Sequence, residues 1–104
     1  MKQIKLFHNS EDIVPFSEWF NKLSMASQAR IDVYIKRVAA GGSKNNIKSL
    51  GDGVFEIKIN YGPGFRVYFG EVQNAIILLL LGGDKSSQKR DIIKAKSYWR
   101  QFNE

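Results

Sequence analysis

At 104 residues the chain has room for one domain, and 43% hydrophobic and 12% aromatic residues can fill a real core. Sixteen Lys and Arg against ten Asp and Glu leave a formal charge of +6, which suggests an anionic partner: nucleic acid first, an acidic protein second, a membrane surface a distant third. The absence of cysteine excludes disulfides, thiol catalysis and cysteine-ligated metal, and fits a reducing cytoplasm.

The N-terminus alternates MKQIKLF and then turns acidic, the wrong pattern for a cleaved signal peptide. Residues 2–7 read as a first strand, with Ile4 and Leu6 alternating against Lys5. Ser10-Glu11-Asp12 followed by Pro15 marks a helix start, because acids suit the N-terminal dipole and Pro the first turn. Phe16, Trp19, Phe20 and Leu23 recur at helical spacing and read as core. A second helix is expected from Ser27 to Ala40, with Ile31, Tyr34, Ile35 and Val38 as its apolar stripe and Gly41-Gly42 as its end. Residues 43–53 read as a loop, pinned by Ile47 and Leu50.

Strands follow at about 54–61, 65–72 and 75–82, with Gln73-Asn74 as a tight turn. The run AIILLLL is too short to span a bilayer and reads as a central strand covered on both faces, by the last helix or by a partner. Ser86-Ser87 can cap a C-terminal helix running to about Phe102, with Ile92, Ala95, Trp99 and Phe102 on its apolar face. The order β-α-α-β-β-β-α predicts a single α+β domain over residues 1–104. Its antiparallel-rich sheet should pack against two N-terminal helices and a C-terminal one.

Alternation along the middle strands sorts the side chains. Phe55, Ile57, Ile59 and Tyr61 share one face, and Glu56, Lys58 and Asn60 the other. Phe65, Val67 and Phe69 continue the apolar set, and Arg66 and Tyr68 the polar one. Pairing Tyr61 with Phe65 across Gly62-Pro63-Gly64 sets Lys58 opposite Tyr68 and Asn60 opposite Arg66, on an exposed face. These are either solvated sheet residues or a site able to hold and attack a phosphodiester.

RNA cleavage by internal transesterification needs a base for the 2′-OH, cations for the phosphorane and an acid for the 5′-oxygen. Arginine's planar fork suits the phosphorane. A lysine, with a reference pKa of about 10.4, becomes a better base when other cations crowd it. Lys58, Arg66 and Lys85 would form such a cluster, Lys85 lying just past the apolar strand. Tyr68 and Asn60 on the same face, and Lys89 and Arg90 downstream, are the candidate substrate contacts, with Tyr68 able to stack on a base. Gly82-Gly83 leaving a strand before a helix can form a backbone anion site, although the P-loop spacing is absent. Glu56 reads as a salt-bridge partner or as an orienter of Lys58, and Asp91 as a helix-dipole partner. His8, the single histidine, lacks the companions a metal site needs.

The blocks VFEIKINYGPGFRVYF and LLLLGGDKSSQKRDI resemble the RelE/ParE toxin superfamily, and within it the HigB-like (Gp49-like) addiction-module killer proteins. The resemblance implies a RelE-like fold and the toxin half of a bacterial type II toxin–antitoxin pair. It implies a ribosome-dependent mRNA endoribonuclease that acts without metal or cofactor in the cytoplasm. The implied partners are a cognate antitoxin, often a helix-turn-helix protein, with the ribosome and mRNA. DNA would be met only through the antitoxin, and no membrane is involved. By position Lys58 matches the family's strand lysine, Arg66 the arginine of the next strand, and Lys85 the basic residue after the last strand. Two departures stand out: Glu56 occupies a position where some members carry a second base, and Asp91 lies nearest to where others place a tyrosine. The alternative within the superfamily is a non-enzymatic ParE-like toxin that binds DNA gyrase.

Overall fold

The apolar residues divide between the two faces of one sheet, and helices close over both. In the computed structural model, which describes Met1–Glu104, five strands lie in the order β1-β5-β4-β3-β2. They are β1 (Gln3–Leu6), β2 (Ile47–Ser49), β3 (Val54–Ile59), β4 (Phe65–Val72) and β5 (Ile76–Asp84). Only β1 runs parallel to its neighbour, β5; the other pairs are antiparallel. The fold is α+β and RelE-like, with helices α1 (Pro15–Phe20), α2 (Met25–Ala39) and α3 (Gln88–Phe102). No helix is long and apolar enough to cross a membrane.

Helices α1 and α2 cover one face. Phe16, Ile31, Ile35 and Val38 pack there on Ile57, Ile59, Val67, Phe69, Ile77 and Leu79. Helix α3 covers the other, where Ala95, with Ile92, Tyr98 and Trp99, packs on Val54, Tyr68, Leu78 and Leu80. Alternation in β5 serves both cores, Ile77 and Leu79 facing one and Leu78 and Leu80 the other, until a bulge breaks it: Tyr68 pairs with Leu81 but Phe69 with Leu79, so Leu80 is the extra residue and Leu81 joins the α3 side as well.

Local chemistry sets the helix ends. The Ser24 hydroxyl accepts from Ser27 N–H at 3.2 Å, so α2 starts two residues before the expected Ser27. At its far end Gly42 N–H donates to Arg37 O and Gly41 N–H to Val38 O, with Gly41 at φ +90°, a Schellman end. Ser10-Glu11-Asp12 do not open a helix. The Asn9 side chain accepts from Glu11 and Ile13 N–H, both at 2.9 Å, and holds those residues in a turn until Pro15. The loop expected at 43–53 contains the short edge strand β2, where Ile47 pairs with Ile57. Gln73 and Asn74 both adopt positive φ (53° and 56°), which fits a primed hairpin turn.

Candidate active site

Strands β3 and β4 set Lys58 opposite Arg66 and Glu56 opposite Tyr68. This is two residues from the expected register, because Ile59, not Tyr61, is the residue that faces Phe65. The loop is therefore residues 60–64. Gly64 N–H donates to Tyr61 O at 3.2 Å, and Gly62 and Gly64 stand at φ +57° and +80°. Tyr61 leaves the ladder and meets the Arg30 guanidinium 4.7 Å above its ring. A slip of two keeps every side chain on its expected face but changes its partner. Asn60 ends outside the ladder, exposed.

Contrary to expectation, that face is closed over Glu56, Arg66 and Tyr68, and of the β3 and β4 residues on it Lys58 alone remains exposed. Helix α3 lies over it, leaving Arg66 6% and Tyr68 0% exposed. Tyr68 sits in the core and cannot stack on a base. Its hydroxyl finds no hydrogen-bond partner. Burial first, then the Glu56 and Asp91 carboxylates, pushes its pKa up.

Arg66 is held by what surrounds it. Its Nη1 donates to Gly64 O at 2.9 Å and to Phe65 O at 3.3 Å, and its Nε lies 3.4 Å from Glu56 Oε1. Gln88 Nε2, from the first turn of α3, donates to Glu56 Oε2 at 2.9 Å. Glu56 is thus clamped between Arg66 and Gln88, the salt-bridge alternative rather than an orienter of Lys58. Lys58 itself is exposed and joins none of the ion pairs.

Lys85 comes to the same place from β5. Phe65 pairs with Asp84, so Lys85 emerges beside the β3–β4 loop. A Cβ placed on Gly64 would lie 3.4 Å from Arg66 Nη1 and 3.6 Å from Lys85 Cβ. Both are ordinary contact distances, so Arg66 and Lys85 flank Gly64, whose φ of +80° rather than its lack of a side chain calls for glycine. Lys58, Arg66 and Lys85 gather at one end of the sheet, with Lys89 and Arg90 exposed on the adjoining turn of α3.

The Gly82–Ser87 segment is built differently from a backbone anion site. The Asp84 carboxylate accepts from Ser86 N–H at 2.8 Å and from the Ser86 hydroxyl. The side chain thereby takes a donor that an anion would need. The Ser86 hydroxyl bond, with the backbone bonds, holds the Asp84 carboxyl below its usual range.

Gln88 is the site residue that sequence reasoning missed, since an isolated glutamine carries no pattern. Asp91 is more than a dipole partner: it is buried, and it accepts from the Ser87 hydroxyl. No group of three or more His, Cys, Asp or Glu side chains is placed to hold a metal ion.

The sheet and site define a small α+β protein of RelE-like fold whose cationic side chains meet at the end of a hairpin. Residues 18–98 match the family described as phage-derived protein Gp49-like, and the chain belongs to that family. An uncharacterised protein of Haemophilus influenzae is 43% identical over 82 residues, 78% of this chain and 82% of that relative.

Proposed function

We propose that this protein is the toxin of a type II toxin–antitoxin pair, of the HigB-like branch of the RelE/ParE superfamily, and that it is a ribosome-dependent mRNA endoribonuclease. Membership of the Gp49-like family fits a toxin-like protein. The observation that carries the nuclease reading is the cross-strand pair Lys58–Arg66, joined at Gly64 by Lys85.

In this reading Lys58 removes the 2′-OH proton, and O2′ attacks phosphorus. Arg66 and Lys85 stabilise the phosphorane. The bond to O5′ breaks as that oxygen takes a proton, with Lys85 as its source. The products are a 2′,3′-cyclic phosphate and a 5′-hydroxyl end, and the chain's own side chains suffice for each transfer. Arg66 is preorganised: Glu56 and two carbonyls fix it, while its Nη2 makes no hydrogen bond within the protein. A cognate antitoxin, a helix-turn-helix protein with an acidic or amphipathic segment, would neutralise the toxin by covering this cationic end.

The test is brief induction of wild type, Lys58→Ala and Arg66→Ala in bacteria, with new RNA 5′ ends mapped across translated messages. Codon-phased cuts that vanish in both variants are the expected result. Arg66→Ala should remove at least about 2–3 kcal/mol of transition-state stabilisation. Growth arrest with intact messages and broken DNA would instead identify a gyrase-directed, ParE-like toxin.

A further inference from the structure

A second recessed site lies one strand beyond Arg66. Strand β1 accompanies β5 only as far as the Leu6–Leu79 pair, so beyond it the outer edge of β5 has no strand neighbour. A cleft of about 620 Å³ opens there between α1 and α3, with Leu81, Gly82 and Gly83 among its lining residues. Its sides carry Trp19, Lys22, Arg90, Asp91, Lys94 and Tyr98. The two glycines admit this arrangement: a Cβ on Gly82 would collide with the Trp19 ring, and one on Gly83 with the Asp91 carboxylate.

Asp91 is the unusual member. It is 6% exposed, it lines the cleft, and no cation reaches it; the ion pairs of the protein are all made elsewhere. The Ser87 hydroxyl satisfies one of its oxygens. The other oxygen has no partner in the protein and is not among its buried unpartnered atoms, so it is open to accept N–H donors from a ligand. Three cations of the cleft face three carboxylates, since Glu18 and Asp84 also line it, so it is no general polyanion site. It suits a ligand with an anionic end, a flat apolar body and an edge of N–H donors.

We propose that this cleft is a guanine-nucleotide subsite for the RNA strand, an inference that rests on the nuclease reading above. Guanine offers two adjacent donors, N1–H and N2–H, to the Asp91 carboxylate; adenine, cytosine and uracil do not. Trp19 and Tyr98, both half-buried, offer the base the ring surface left over by Gly82, which lies against Trp19, and by Phe7, which stacks on Tyr98. Lys22, Arg90 and Lys94 take its phosphate. Gly83 pairs with Arg66 across the ladder, so a nucleotide seated here adjoins the phosphate that Arg66 would hold.

The test is a binding titration of the whole chain with guanosine 5′-monophosphate, adenosine 5′-monophosphate, inorganic phosphate and agmatine, followed by the two indole N–H resonances. The guanine nucleotide should bind at least about tenfold tighter than the adenine one and should move the Trp19 signal, not that of Trp99. Asp91→Asn should weaken it about tenfold and leave phosphate affinity unchanged. Lys22→Ala with Lys94→Ala, which leaves the cleft floor intact, should weaken the nucleotide but not guanosine. Equal affinity for the two nucleotides, or the same Trp19 shift from phosphate alone, would overturn the proposal. Tighter binding of agmatine would also overturn it, assigning the cleft to an arginine of a protein partner. These titrations need no cleavage, so a protein that binds the guanine nucleotide yet cuts no message would sink the nuclease reading alone.

Discussion

Arg66 keeps its charge in a nearly dry place because acceptors surround it: Glu56 on one side, and the Gly64 and Phe65 carbonyls on the other. Breaking such a pair from one side leaves an uncompensated buried charge, which costs more than the intact pair contributes. Glu56→Ala should therefore destabilise the fold by about 3 kcal/mol in urea unfolding, with Glu56→Gln milder because an amide can still meet Arg66 and Gln88. The Arg66 Nε makes no hydrogen bond and is answered only by the Glu56 charge 3.4 Å away. Tyr68 lacks even that. Its hydroxyl is buried without a partner, so Tyr68→Phe removes an unmet group and should leave the melting temperature unchanged or raised. The same residue makes a pH prediction. Its folded pKa is raised, so the unfolded chain loses the proton first, and stability present below about pH 10 declines as pH rises past that value. Tyr68→Phe should lose less stability than wild type between neutral and strongly alkaline pH, measured as the difference between the two urea midpoints. Equal losses would mean that the hydroxyl is not desolvated.

At the scale of elements, α3 is seated by two close approaches to strands, Asp91 against Gly83 on β5 and Trp99 against Gly70 on β4. Gly70 on β4 lies under the Trp99 ring, and an added Cβ would run into it. Gly70→Ala should cost about 1–3 kcal/mol in thermal unfolding, as α3 lifts to make room. Gly41→Ala meets nothing within 4 Å and should cost only about 1 kcal/mol, from its φ of +90° alone. These glycines also show what was legible in the sequence. Strand alternation sorted the faces of β3 and β4 correctly, and the Gly41-Gly42 helix end and the Gln73-Asn74 turn were readable from residue type. The hairpin register was not, because Asn60 and Tyr61 continue the strand pattern past Ile59, where β3 ends and the five-residue loop begins. The cover over Arg66 and Tyr68 was hidden for a different reason. The first turn of α3 carries Gln88 and Asp91 toward the sheet, polar residues that a hydrophobic pattern assigns to solvent. The polar face therefore looked open, when polar side chains from α3 close it.

At the scale of the molecule the +6 charge is unevenly committed. Lys2, Lys36 and Lys96 are paired with Glu71, Asp32 and Asp52, whereas Lys58 and Lys85 at the sheet end pair with nothing. Binding of a single strand releases about 0.7 counterions per neutralised phosphate, and the logarithm of affinity falls with that slope against the logarithm of salt. If Lys58, Arg66 and Lys85 each meet a phosphate, an uncleavable RNA carrying a 2′-methoxy group at every position should bind with a slope of about −2. Lys85→Ala should lower its magnitude by about 0.7, and Lys36→Ala, on the exposed side of α2, should leave it unchanged. Fluorescence anisotropy across a salt series reads both. If Lys36→Ala lowered the slope as much as Lys85→Ala, the RNA would be responding to net charge, and the convergence at Gly64 would not be its binding site. A loss confined to Lys85 and Lys58 would tie the charge excess to that end of the sheet, where an acidic antitoxin segment would have to lie to compete.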